Sequence, residues 1–137
     1  MKTKHFFYGL IVLAVLLTTC KKETDYRDKW VGDWDFVVER EWWIMYTDEG
    51  KDTTYYSGKI SYGNSSGDLY IKHSETDTLL IDVDESGKLY FSDGGGHDYA
   101  DGQFEGNNKM ILFYHDGGLG GWMAFNISGI KKEGDKK

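Results

Sequence analysis

The run Trp30 to Thr47, WVGDWDFVVEREWWIMYT, constrains this chain more than any other stretch. Read two residues at a time, it puts Trp34, Phe36, Val38, Trp42 and Ile44 on one side, interrupted only by Arg40. Asp35, Glu39 and Glu41 fall on the other side. Wound as a helix, the same residues scatter tryptophans and acids around the axis with no apolar stripe, and the β-branched and aromatic content favours extended backbone. Roughly fifteen residues at about 3.3 Å each reach on the order of 50 Å, wider than a small domain. Such a strand has to curl around a closed or nearly closed sheet, and a bulge is expected where Trp42 and Trp43 sit side by side.

The remaining chain repeats the extended pattern in shorter pieces. Thr53 to Tyr62 offers Tyr56, Ile60 and Tyr62 to one face, after a polar turn at Asp48-Glu49-Gly50-Lys51-Asp52. Asp68 to Ser74 sets Leu69, Ile71 and His73 against Tyr70 and Lys72, and Thr78 to Asp84 sets Leu79, Ile81 and Val83 against Leu80 and Asp82. Lys88 to Ser92, Tyr99 to Glu105, Lys109 to His115 and Gly121 to Ile130 follow, with Gly-, Asp-, Asn- or Ser-rich turns between. Eighteen glycines and no proline fit this punctuation. Connections so short force sequential strands to pair antiparallel. The expected fold is all-β: an eight-stranded antiparallel up-and-down barrel or nearly closed meander, of the size whose interior is filled by side chains or holds one small ligand.

Before this domain, residues 1–20 read as an export signal. Lys2, Lys4 and His5 form the polar start and Phe6 to Leu17 the apolar core, which is too short to span a bilayer needing roughly twenty residues. The step Leu17-Thr18-Thr19-Cys20 resembles the lipobox of bacterial lipoproteins, with threonine in place of the usual small residue before the cysteine. The resemblance implies a cleaved signal helix over 1–19, diacylation of Cys20, and a mature chain held on its membrane by lipid. Residues 20–28 would be the lipidated tether, 29–131 the barrel and 132–137 a disordered tail. Lys21-Lys22-Glu23-Thr24-Asp25 is similar to the acidic export signal of surface lipoproteins of gut-commensal Gram-negative bacteria. The implied location is the outer membrane, at the cell surface or facing the periplasm.

The formal charge of −7 becomes −9 without residues 1–19, since sixteen basic residues fall to fourteen against twenty-three acids. Such a surface repels phosphate backbones, so no nucleic-acid partner is expected. The lone Cys20 permits no intramolecular disulfide.

Gly32-Asp33-Trp34 at the start of the first strand resembles the G-x-W motif of lipocalins and the wider calycin group. The resemblance implies a barrel with Gly32 and Trp34 at its plugged base and a mouth that takes a small apolar or aromatic ligand. Lipocalins pack a late arginine over that tryptophan; here Lys131 or Lys132 would take its place, and no C-terminal helix follows Ile130. The likeness extends to small lipocalin-like lipoproteins of the same bacteria, which bring no known activity.

Signs of catalysis are lacking. The glycine-rich runs Gly94-Gly95-Gly96 and Gly117 to Gly121 precede strands, not the helix N-terminus that phosphate binding uses. His73, His97 and His115 are spaced too widely for a local zinc signature. Asp82-Val83-Asp84-Glu85-Ser86-Gly87, with Asp93 beyond, resembles the start of a calcium loop. Between strands it reads as a hairpin turn with water-facing acids and Gly87 at positive φ. No enzyme activity, metal or cofactor is expected. The aromatic content, 16%, exceeds what one small core absorbs. Arg40, Trp42, Trp43, Tyr62 and Trp122 are the candidate ligand-binding residues. The alternative function is a non-catalytic interaction or accessory module, its aromatics turned outward to a protein or glycan partner.

Overall fold

A computed structural model of the chain describes residues 24–134 apart from Asp93, Gly95 and Gly96. The signal segment, Cys20 and residues 135–137 lie outside the described residues.

A short 3₁₀ helix, Tyr26–Lys29, leads into eight strands: β1 Gly32–Ile44, β2 Asp48–Tyr62, β3 Asp68–Lys72, β4 Thr78–Val83, β5 Lys88–Ser92, β6 Tyr99–Glu105, β7 Lys109–Gly118 and β8 Gly121–Lys131. Each pairs antiparallel with the next, and β8 returns to β1, closing the barrel as the strand count and short turns predict. Closure gives every strand two neighbours, although residues 48–58 of β2, beyond the reach of β3, are bonded to β1 alone.

Two expectations about the long strand are corrected. The register with β2 runs unbroken from Gly32 opposite Ile60 to Ile44 opposite Asp48, and that with β8 from Trp34 opposite Lys131 to Ile44 opposite Gly121. No bulge interrupts it at Trp42 and Trp43. Instead the extra length stands clear of the barrel. β1, β2, β7 and β8 have 13, 15, 10 and 11 residues, whereas β3, β4 and β5 have 5, 6 and 5. One wall is therefore tall and the opposite wall low, and the mouth is cut on a slant. The second correction follows from the first: Asp48 to Asp52 is strand and not turn, because in the projecting hairpin both faces meet water and polar side chains cost little. The reversal falls at Met45 to Thr47, with Tyr46 at φ 64.

The core sits at the end where β1 begins. Inward side chains of the eight strands, among them Trp34, Phe36, Ile60, Leu69, Ile81, Leu89, Leu112 and Ile127, are almost fully enclosed. The base is closed by the 3₁₀ segment. Trp30 stacks on Phe104 with centroids 4.4 Å apart and an angle of 9°, and its indole N–H donates to the Gly106 carbonyl at 3.0 Å. The Trp34 indole N–H in turn donates to the Trp30 carbonyl at 2.8 Å. Gly87 has φ +91, and a Cβ there would lie 2.9 Å from the Trp30 ring, so both backbone and space ask for glycine. Arg27 is buried alongside, bound to Asp25 and donating to the carbonyls of Ser65 and Asp68 at 2.6 and 2.8 Å. These bonds tie the plug to the β2–β3 loop.

Lys131 and Lys132 do not fill the place of a late arginine over Trp34. Lys131 Nζ donates to the Lys29 carbonyl at 2.9 Å, and Lys132 pairs with Asp35 at 3.1 Å. The cation over a base tryptophan is Lys29, its Nζ 4.2 Å from the Trp30 ring centroid. The plug is thus built from residues before β1.

Candidate functional site

The mouth lies at the opposite end, where the β1–β2, β3–β4 and β7–β8 turns fall. Between the low wall and the tall wall is a cavity of about 400 Å³, lined by Arg40, His73, Thr76, Asp77, Thr78, Leu79, Tyr114, Asp116, Met123 and Phe125. That is within the range of small-molecule sites, roughly 300–1,000 Å³. Strand alternation positions it. Arg40 continues the inward row of Phe36 and Val38, Tyr114 and Asp116 the row of Met110 and Leu112, and Met123 and Phe125 that of Ile127. His73 follows Leu69 and Ile71 one step beyond the end of β3.

Three features give the cavity its chemistry. Its apolar surface comes from Leu79, Met123, Phe125 and Tyr114, the two rings 5.7 Å apart. Its outer polar groups are Thr76, Asp77 and Thr78 of the low wall and Asp116 of the tall one. Burial, and then the neighbouring Asp98 carboxyl, push the Asp116 carboxyl above the usual carboxylate range. The third feature is His73, 3% exposed, with neither ring nitrogen hydrogen-bonded. Burial holds its imidazole below the ordinary histidine value, and the Asp77 charge works against that shift. The neutral imidazole is thereby favoured, and in that form one nitrogen is a donor and the other an acceptor.

Arg40 brings little free charge to the cavity. Its guanidinium makes a two-pronged contact with Asp52, at 2.5 and 3.3 Å, and lies 4.8 Å from the Trp42 ring centroid. A second hollow of about 530 Å³ meets the first at Arg40 and runs among Glu39, Glu41, Lys51, Thr53 and Asn126. Its lining residues are all polar types, and none of them carries a buried, unsatisfied atom.

Of the five residues picked from the sequence, only Arg40 lines the mouth cavity. Trp42 stands above it in the projecting hairpin, packed over Gly50 with its indole N–H donating to Asp48 at 3.1 Å. Trp43 and Trp122 face outward, opposite each other across β1 and β8. Tyr62 lies at the far end, bonded to Asp28 beneath the Arg27 guanidinium. Gly32 opens β1, and Trp34 is fully enclosed at the base. His73, Tyr114, Asp116 and Phe125 were not singled out as binding residues, although alternation alone puts His73 on the inward row of Leu69 and Ile71.

The acidic hairpin at Asp82 to Gly87 is the β4–β5 turn. Asp84 Oδ1 accepts from the Ser86 and Lys88 amides at 2.8 and 3.0 Å and from the Ser86 hydroxyl at 2.6 Å. That oxygen is committed to the turn, and Asp93 lies outside the described residues. Among the described residues no group of three or more His, Cys, Asp or Glu side chains could hold a metal ion. His115 belongs instead to an aromatic strip on the outer face, between Tyr99 at 5.2 Å and Trp122 at 6.2 Å, its Nδ1–H donating to the His97 carbonyl at 2.9 Å.

No family model matches the chain, and no curated protein or solved structure matches it either.

Proposed function

We propose that this protein is a lipocalin-like lipoprotein of the bacterial outer membrane whose barrel mouth binds one small, partly aromatic ligand. The observation that carries the ligand reading is the slanted mouth. A barrel of this strand number is filled by side chains at its base, yet above Phe36 the inward row leaves about 400 Å³ between Leu79, Tyr114 and Phe125. The G-x-W start at Gly32 to Trp34, on a closed eight-stranded up-and-down barrel, supports the calycin comparison. The lipobox ending at Cys20 supports anchoring, with two or more acyl chains holding the protein stably at about 0.8 kcal/mol per buried CH₂. The anchored domain would then hold its ligand at the membrane surface. This is a binding role, without catalysis.

A second reading is favoured by the outward strip of Tyr99, His115 and Trp122, with Trp43 opposite Trp122. It makes the domain an accessory module that presents this face to a protein or glycan. The two readings separate in one experiment. Titration of the full-length chain with N-phenyl-1-naphthylamine, a neutral fluorophore, gives saturable one-to-one enhancement if the mouth is a ligand site. The signal should survive Trp43→Ala and Trp122→Ala and fall on Leu79→Trp, which fills the cavity. No saturable signal would refute the ligand reading.

A further inference from the structure

We infer that the mouth cavity selects a small aryl amphiphile carrying an N–H or O–H donor, in its strongest form a protonated amine, and that the His73 imidazole is the acceptor it meets. This inference rests on the reading of the mouth as a ligand site and specifies what the site takes.

The argument starts from a cost. His73 occupies an inward position next in row after Leu69 and Ile71, where a leucine would serve packing as well. It is 3% exposed and both ring nitrogens lack a hydrogen-bond partner. A buried polar group left unsatisfied is expensive, and cavities beside such a group are where a partner from outside the chain restores the bond. His73 lines a space that can supply that partner, the cavity shared with Thr76, Leu79, Tyr114 and Phe125, with its ring nitrogens buried just behind the cavity wall.

Charge decides which partner. The formal charges around the cavity are Asp77, Asp116 and Arg40, and the Arg40 guanidinium is already taken by Asp52 at 2.5 Å. What remains is acidic. A carboxylate ligand would give up its water to face two carboxyl groups and a histidine kept neutral by burial, so anionic amphiphiles are disfavoured. An ammonium gains at each point: it donates to the imidazole lone pair, lies near Asp77, and relieves the crowding that raises the Asp116 carboxyl beside Asp98. The faces of Tyr114 and Phe125 suit an aryl group and a cation alike. A neutral alcohol keeps the hydrogen bond and loses the charge attraction, so it ranks second.

The test uses the full-length chain near neutral pH, with N-phenyl-1-naphthylamine as the displaced probe and three competitors of one skeleton: 2-phenylethylamine, 2-phenylethanol and 3-phenylpropionate. The amine should compete at least about tenfold more strongly than the propionate, with the alcohol between. His73→Leu should remove most of the amine's advantage over the propionate, each competitor being read against the probe's own affinity for that variant. Should that variant fail to fold, ring ¹⁵N NMR of the wild type decides: 2-phenylethylamine must move the His73 acceptor nitrogen. If the probe binds but the propionate competes as well as the amine, or the His73 nitrogens stay still, this inference is overturned and the ligand site stands. If neither the probe nor the amine binds, both fall.

Discussion

Trp30→Ala is the sharpest test of how the barrel is closed. The side chain is 1% exposed, its ring lies 4.4 Å from that of Phe104, and its N–H holds the Gly106 carbonyl of the β6–β7 turn. Truncating a buried tryptophan costs about 3–5 kcal/mol, through lost burial and the cavity left behind. Within that figure the ring pair accounts for roughly 0.5–1.5 kcal/mol and the hydrogen bond for a similar amount. The cavity has little means of collapse, since Gly87 approaches the ring from one side and Phe104 covers the other, so the upper half of the range is expected. For a domain of this size each kcal/mol moves the melting midpoint by about 4 °C, giving a drop of roughly 16–20 °C. Trp30→Phe keeps the stacked ring and loses the N–H, and should cost only about 1–2 kcal/mol. Urea denaturation followed by circular dichroism measures both. The control is Tyr55→Ala on the outer face, 80% exposed, which should lie within about 0.5 kcal/mol of wild type. A Trp30→Ala protein within about 1 kcal/mol of wild type would refute the plug, whatever the fate of the ligand site.

Gly58→Ala should destabilise by about 1–3 kcal/mol, because a Cβ there falls within the envelope of the Lys72 backbone carbonyl as well as the Tyr56 ring; chemical denaturation reads it. The Arg27 guanidinium beside Asp25 holds that carboxyl down to about 2. The stability gap between wild type and Asp25→Asn should therefore be full above the ordinary carboxylate value of 3.8 and vanish as pH falls through about 2; a gap independent of pH would contradict the ion pair. Fatty-acid labelling of the full-length chain in a Gram-negative host should be abolished by Cys20→Ser, and an unlabelled wild type would refute the anchor.

The barrel was legible because its evidence is local. Alternation in the first strand, in Leu69-Ile71 and in Leu79-Ile81-Val83 needs only a period of two, and the short turns force neighbours to pair. The bulge and the polar turn were misplaced for one reason. Trp42 and Trp43 side by side, and a run of Asp, Glu and Lys, look like breaks, yet in a hairpin that stands out of the barrel neither the pleat nor the polarity meets resistance. The plug was half legible. Trp34 declared itself by its place in the strand, whereas Trp30 and Arg27 act through contacts with Phe104, Gly106, Ser65 and Asp68, distant in sequence. The cavity was least legible, since it arises from a difference in wall height that no single strand encodes. Large aromatics attracted notice, but they mostly face outward or stand above the opening. The group that marks the cavity is a histidine whose inward position was plain and whose lack of partners was not.

Methionine methyl NMR tests the central claim most directly, because the described methionines sample three heights of the molecule. Met110 lies in the base, Met123 lines the mouth cavity and Met45 sits at the tip of the projecting hairpin. Adding N-phenyl-1-naphthylamine to the full-length chain should shift the Met123 methyl in a saturable way while Met110 and Met45 hold their positions. A Met123 resonance that stays fixed at saturating probe, or a shift confined to Met45, would contradict a ligand site in the mouth of the barrel.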